Sequence, residues 1–223
     1  MSVPSIIVNF KAFRESMHEG AFEIARAAER VSRETGISIG VAPNYIDAYY
    51  IAKNFDIPVL LQHVDPVDFG AYTGQIPVES LVLYGFKGSL VNHSERKLRI
   101  DEIRRIVSKM NELGLISVVC SSDNMESVAL SVLKPSAVAV EPPELIGTGI
   151  SVSKAKPEVV REAVDPIKRM GNVRVLCGAG ITTADDVRKA LELGVDGVLL
   201  ATAVTKSSNP EGKLMELAGA FKF

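Results

Sequence analysis

Two kinds of hydrophobic pattern alternate along the chain. Ser5-Ile-Ile-Val-Asn-Phe10 is a short run of apolar residues, whereas Ala21, Ile24, Ala25, Ala28 and Val31 return at the spacing of one helix face. The first pattern predicts a buried strand and the second an amphipathic helix behind it. The unit recurs. Strand 37–41 precedes helix 44–53, strand 58–62 a short helix near 77–84, and strand 89–92 a helix ending near Leu113. Strand 115–120 then leads to helix 123–132, strand 135–140 to helix 156–169, strand 173–177 to helix 183–192, and strand 197–200 to a last helix reaching about Ala220.

Strands that are apolar throughout are buried on both faces, and strict alternation with helices requires parallel strands joined by right-handed crossovers. Eight such units predict an α/β fold, a single (β/α)8 barrel domain over residues 1–223. An open doubly wound sheet is the competing architecture. Its glycine fingerprint needs a third glycine that both Gly147-Thr-Gly-Ile-Ser-Val152 and Gly178-Ala-Gly-Ile-Thr-Thr183 lack, which disfavours a dinucleotide site. Barrels of this type run to about 250 residues, so some helices must be short, those of the third and fifth units above all. One connection is long: from His63 to Ile76 the chain carries turn residues with Phe69, Ala71 and Tyr72 at the apex. Such a loop either enters a partner subunit's pocket or folds over its own barrel.

Charge narrows the range of ligands. With 25 basic and 27 acidic side chains the net charge is −2, and no basic block is interleaved with aromatics. Nucleic acid and acidic membrane surfaces are therefore not expected partners, and the ligand should be small. Cys120 and Cys177 each end an apolar run, as buried reduced thiols do in a cytoplasmic protein. The start of the chain has no basic segment or long apolar stretch, so neither a signal peptide nor a membrane span is expected.

In a barrel, polar residues at the C-terminal ends of strands are the candidates for chemistry. They are Asn9 and Lys11, Gln62, His93, Cys120, Glu141, the turn Cys177 to Gly180, and Ala201 with Thr202. Glu141 is the centre of this set. It stands where a buried strand gives way to Pro142-Pro143, and the tip Ile146-Gly147-Thr148-Gly149 beyond either can swing and bare its backbone N–H groups, as a lid over an anion must, or belongs to an ordinary strand-to-helix connection with a solvated acid and two turn glycines. A helix start at Ser94-Glu95 would keep His93 neutral, able to polarise a carbonyl. The three histidines, His18, His63 and His93, have no metal-ligand spacing. Lys11 would attract a phosphate or a developing oxyanion, or attack a carbonyl as a Schiff-base lysine. The small residues of Gly178-Ala-Gly180 and Ala201-Thr202 either expose backbone donors to a phosphate or serve tight turns.

Asn9-Phe-Lys11, Asn92-His-Ser-Glu-Arg96 and Glu141-Pro-Pro-Glu-Leu-Ile-Gly-Thr-Gly149, in that order, resemble the signature segments of the triosephosphate isomerase family, especially its short archaeal form. Gln62, Gly70-Ala-Tyr-Thr-Gly74, Gly178-Ala-Gly180 and Ala201-Thr202 extend the likeness along the chain. The resemblance implies interconversion of dihydroxyacetone phosphate and glyceraldehyde 3-phosphate through an enediolate, in glycolysis and gluconeogenesis, with no metal or organic cofactor. Glu141 is then the base and His93 the electrophile, with Lys11 and Asn9 stabilising charge. Ile146, Gly147, Gly180, Ala201 and Thr202 hold the phosphate, and Glu95, Ser94 and Cys120 support the site. The longer form of the family has Pro-Val-Trp after its glutamate where this chain has Pro142-Pro143-Glu144, and Tyr-Gly-Gly-Ser where it has Cys177-Gly-Ala-Gly180. A side-chain contact to phosphate is thereby replaced by backbone donors. The family also implies a homodimer through the loop 63–76, or a homotetramer built from it.

Overall fold

The computed structural model describes residues 2–142 and 152–221. Eight strands are present: β1 Ile6–Asn9, β2 Ile39–Ala42, β3 Leu60–Leu61, β4 Gly88–Val91, β5 Ile116–Ser121, β6 Ala137–Val140, β7 Arg174–Cys177 and β8 Gly197–Leu200. All their pairings are parallel, in the order β2-β1-β8-β7-β6-β5-β4-β3. A bridge between Val41 and Val59, with Val41 N–H donating to Pro58 O at 2.9 Å, joins the two ends of that order and completes the ring. The expected (β/α)8 barrel is borne out, and the open doubly wound sheet is not.

Helices α1 Glu19–Thr35, α2 Tyr45–Asn54, α3 Ser80–Tyr84, α4 Ile100–Glu112, α5 Asn124–Ser131, α6 Val152–Ala155, α7 Pro157–Arg169, α8 Ala184–Glu192, α9 Thr202–Thr205 and α10 Pro210–Gly219 surround it. Their ends follow local chemistry. Asn44, Asp123, Thr183 and Asn209 accept backbone N–H groups at the starts of α2, α5, α8 and α10, and Gly36, at φ 74°, ends α1 in the left-handed conformation. The third and fifth helices are short, as expected, at 5 and 8 residues.

Side-chain alternation sorts the strand residues into two cores. Ile7, Ala42, Leu60, Leu90, Ile116, Val118, Ala137, Ala139, Leu176 and Leu199 fill the barrel, whereas Ile6, Val8, Val41, Val119, Val138, Val140, Val175 and Val198 pack outward under the helices. Continued past the strand ends, the same alternation turns Asn9, Glu141, Gly178 and Ala201 toward the barrel axis at its C-terminal mouth.

Three local expectations are corrected. The third strand is only Leu60–Leu61, because Gln62 turns its side chain to the carbonyls of Lys11 and Ala42, both at 3.0 Å. No helix starts at Ser94-Glu95; that segment is a turn, and α4 begins at Ile100. The last helix is two, since Pro210 cannot donate within a helix and Asn209 caps a fresh start.

Close approach between β4 and β5 demands a glycine. A methyl group at Gly88 would lie 1.9 Å from the carbonyl oxygen of Ile116, across a register that cannot widen without disturbing the ring. Gly88→Ala is therefore expected to lower unfolding free energy by at least about 3 kcal/mol, at the upper end of overpacking costs, as read by urea denaturation.

Candidate active site

Asn9, Lys11, His93, Glu141, Gly178, Gly180, Ala201 and Thr202, with Phe13, Ile181, Leu199 and Leu200, line one cavity of about 60 Å³ at the barrel mouth. A neighbouring cavity of about 190 Å³ shares Asn9, Lys11 and His93 and is walled by Tyr45, Gln62, His63, Glu95 and Arg96. Eight of the sequence-predicted residues thus meet at one place. Cys120 lies directly below, buried in the barrel. Glu95 lines the second cavity, and Ser94 sits half-buried in the turn beside His93 without lining either. Ile146 and Gly147, with the rest of the expected lid, lie outside the described residues.

Glu141 is held by its backbone, whose N–H donates to Ser121 O at 2.8 Å, while Gly178 N–H donates to Val140 O at 3.0 Å and aligns the next strand end. Only a glycine fits at 178: a methyl group would stand 2.2 Å from the Glu141 Cγ. The carboxyl group is buried, and burial pushes its pKa up to about 7; a hydrogen bond from the Cys120 thiol and the charge of Lys11 pull the other way. Its Oε2 has no hydrogen-bond partner among the described residues. It faces His93 Nε2 across 3.7 Å, too far for a hydrogen bond and close enough for one reacting atom to serve both.

His93 is neutral, for a reason other than the one expected from sequence. Burial holds its pKa down, at about 4, and the Lys11 ammonium adds to this. The turn supplies the orientation: Glu95 N–H donates to His93 Nδ1 at 3.2 Å, which leaves the proton on Nε2, facing the cavity. Asn92 makes this possible by adopting φ 60°, so that the chain leaves β4 with His93 directed inward. Its own side chain donates to Cys120 O at 2.9 Å and accepts from Leu98 N–H at 3.0 Å.

Lys11 likewise sits in the left-handed region, at φ 52°, its N–H donating to Asn9 Oδ1 at 2.9 Å and its carbonyl accepting from Gln62. The Nζ donates to Glu95 Oε1 at 2.8 Å. Two strained, non-glycine backbone positions at strand ends, each tied by side-chain hydrogen bonds, are the usual mark of a built site. Asn92 is the supporting residue that the strand-end inventory missed, whereas Gln62 and Gly178 stood in it without the supporting roles they have here. For Gly178 the signal was present, since alternation along β6 and β7 brings residues 141 and 178 together.

A family model described as triosephosphate isomerase matches residues 4–219. The chain belongs to the triosephosphate isomerase family. It is similar to the triosephosphate isomerase of Methanothermus fervidus, 48% identical over 218 residues, which are 97% of this chain and 98% of the relative. The counterpart in Archaeoglobus fulgidus is 50% identical over 215 residues, 96% of each chain, and that in Methanocaldococcus jannaschii 47% identical over 213 residues, 95% of this chain and 97% of the relative. These are archaeal relatives, as the short-form signature led one to expect, and membership of the family makes the chain an isomerase.

The raised carboxyl of Glu141 has a consequence for stability. Its folded pKa, about 7, lies above the ordinary carboxylate value, so the folded state holds this proton more tightly than the open chain does. Stability is then intact below pH 4, falls as pH rises to about 7 and levels off above it, where the group is ionised in both states. Glu141→Gln removes the charge that burial opposes. It is expected to match the parent near pH 4 and exceed it by about 3 kcal/mol at pH 8 in urea denaturation.

Proposed function

We propose that this single barrel interconverts dihydroxyacetone phosphate and D-glyceraldehyde 3-phosphate by the following division of labour. The Glu141 carboxylate takes a proton from the carbon next to the substrate carbonyl. The C–H electron pair moves into the carbon–carbon bond and charge develops on the carbonyl oxygen, where His93 Nε2–H donates. His93 passes its Nε2 proton to that oxygen and takes up the hydroxyl proton from the oxygen of the neighbouring carbon, and Glu141 returns its proton to the former carbonyl carbon, which completes the isomerisation. Lys11 and Asn9 stabilise the enediolate oxygens. The backbone groups of Gly180, Ala201 and Thr202, with Ile146 and Gly147 of the lid, take the phosphate. Glu95 holds Lys11 in place, Ser94 shapes the turn, and Cys120 supports the base.

The observation that carries this reading is the opposition, 3.7 Å apart, of a neutral imidazole and a buried carboxylate oxygen that has no hydrogen-bond partner among the described residues. A raised carboxyl and a depressed imidazole on either side of one small cavity suit proton transfer at near-neutral pH. A lyase or aldolase using Lys11 as a Schiff base is less well supported, because that nitrogen is engaged with Glu95 at 2.8 Å. We place the protein in the cytoplasm, a reading that rests on its buried free thiols Cys120 and Cys177. No helix among the described residues is long and apolar enough to cross a membrane.

The loop 63–76 supports an assembly of at least two subunits. Its base is fixed by Ile76 N–H donating to Asp65 Oδ2 at 2.7 Å, and Lys109 of α4 grips both Asp68 and Glu79. Its tip nevertheless leaves Phe69 and Tyr72 exposed, and Ile46 and Tyr49 of α2 and Leu83 and Tyr84 of α3 are exposed too, with the Tyr49 and Tyr84 rings in edge contact. A preformed loop with an apolar tip fits a pocket on a second copy better than solvent.

In a coupled assay, glyceraldehyde 3-phosphate should be turned over, with Glu141→Gln reducing kcat by at least ~10²- to 10⁴-fold. The parent's kcat/KM should fall below a pH of about 7, as Glu141 takes up a proton. Near-parental turnover in the Glu141→Gln variant removes the assignment of the base. Light scattering at micromolar concentration should give at least twice the subunit mass, and Phe69→Asp with Tyr72→Asp should shift it toward one subunit; a parent that is monomeric refutes the interface.

A further inference from the structure

Two of the chain segments that line the cavity leave neighbouring strands whose register pairs Val8 with Leu200 at its last position. On one side the β1 loop carries Asn9, Lys11 and Phe13; on the other, Ala201 and Thr202 lead from β8 into α9. Substrate affinity depends on the spacing between these two segments if the triose lies across them, as the reading above requires.

One side-chain contact spans the gap. Lys206, the residue that closes α9, places its Nζ 4.5 Å from the centre of the Phe13 ring. Lys206 N–H donates to Thr202 O at 3.1 Å, so the lysine is fixed to the short turn whose first residues line the cavity. Phe13 is equally tied to its own side: it begins the tight turn Arg14–Ser16, and Ser16 Oγ donates to Phe10 O at 2.6 Å and to Phe13 O at 3.2 Å. Phe13 is among the residues that line the cavity, and its ring receives the cation.

A long, exposed lysine ordinarily finds an acid or stays in solvent. Lys97, Lys109, Lys168, Lys189 and Lys213 all have carboxylates in ion-pair range. Lys206 has none among the described residues, and its contact is the aromatic face instead. Cation–π attraction operates at this distance.

We propose that Lys206 is a positioning residue: by holding its ammonium on Phe13 it fastens the β8 mouth to the β1 loop and sets the gap that the phosphorylated triose spans. This rests on the isomerase reading for its kinetic consequence and on the contact alone for its structural one.

The test is a double-mutant cycle with Lys206→Met and Phe13→Leu, read by KM for glyceraldehyde 3-phosphate, by inhibition with inorganic phosphate, and by peptide-level hydrogen exchange. Each single change should raise KM and the phosphate inhibition constant together by about two- to fivefold, the equivalent of one exposed cation–π contact, with a smaller change in kcat. The double variant should be no worse than the weaker single, and Lys206→Arg should restore the parental KM, since a guanidinium stacks on a ring as well. Exchange in segments 10–16 and 201–206 should quicken in both single variants while α4 stays unchanged. Effects on KM that multiply in the double variant overturn the proposal, because Lys206 would then act on phosphate without Phe13. So would unchanged KM, or unchanged exchange in segment 10–16. A parent enzyme without isomerase activity, but with exchange that responds as described, would count against the function and leave the clamp standing.

Discussion

Taking the Glu141 carboxylate out of water is the constraint on which the site depends. A carboxylate in water is a weak base held at an ordinary pKa; the same group at the end of β6, enclosed by Gly178, Cys120 and the barrel wall, binds its proton more tightly, at about pH 7. Such a base is ionised often enough near neutrality to act and basic enough to pull on a carbon acid. The fold opposes this arrangement energetically, because desolvating a charge is unfavourable. The surrounding ring of parallel strands, apolar over most of both faces, keeps water from the carboxyl oxygen that has no hydrogen-bond partner among the described residues.

The neutral histidine follows from the same desolvation acting with opposite sign. Burial raises an acid that ionises to an anion and lowers a base that ionises to a cation, so one water-poor cavity moves Glu141 and His93 apart in the directions acid–base chemistry needs. Lys11 reinforces the effect on His93 and moderates that on Glu141. Glu95 touches both Lys11 and, through its backbone, His93, and so couples the orientation of the ammonium to the tautomer of the imidazole. These relations hold only because Lys11 and Asn92 accept left-handed backbone, each costing about 1–3 kcal/mol of local strain that neighbouring side-chain hydrogen bonds offset.

Much of this was readable from residue order, for identifiable reasons. Strand parity is rigid, so an apolar run that ends at Val140 dictates an inward Glu141, and the same rule places Asn9 and Ala201. Helix existence was legible where an apolar stripe was long, as in α1 and α4, and the short third helix was expected near 77–84, where Gly85, at φ 77°, ends it. The helix start assigned to Ser94-Glu95 failed because an acidic residue after a serine reads as a cap whether or not the chain goes on to a helix; here the Asn92 side chain reaches Leu98 N–H and closes a turn instead. Left-handed lysine and asparagine leave no signature in composition, and the contact between Phe13 and Lys206 joins positions that only ring closure brings together.

The two halves of the mouth are made differently. Proton transfer tolerates little error in direction, and its groups are side chains fixed by strained backbone and short hydrogen bonds on β1, β4 and β6. Holding a phosphate demands less of any one donor, since its oxygens accept from many directions, and the side toward β7 and β8 offers glycine, alanine and threonine in tight turns. Where the longer members of the family place a serine, this chain has Gly180, at φ 69°, so no side chain there can help to set the distance to phosphate. That distance must then come from how the β8 segment is anchored to the rest of the mouth, which gives a contact outside the cavity a share in binding within it.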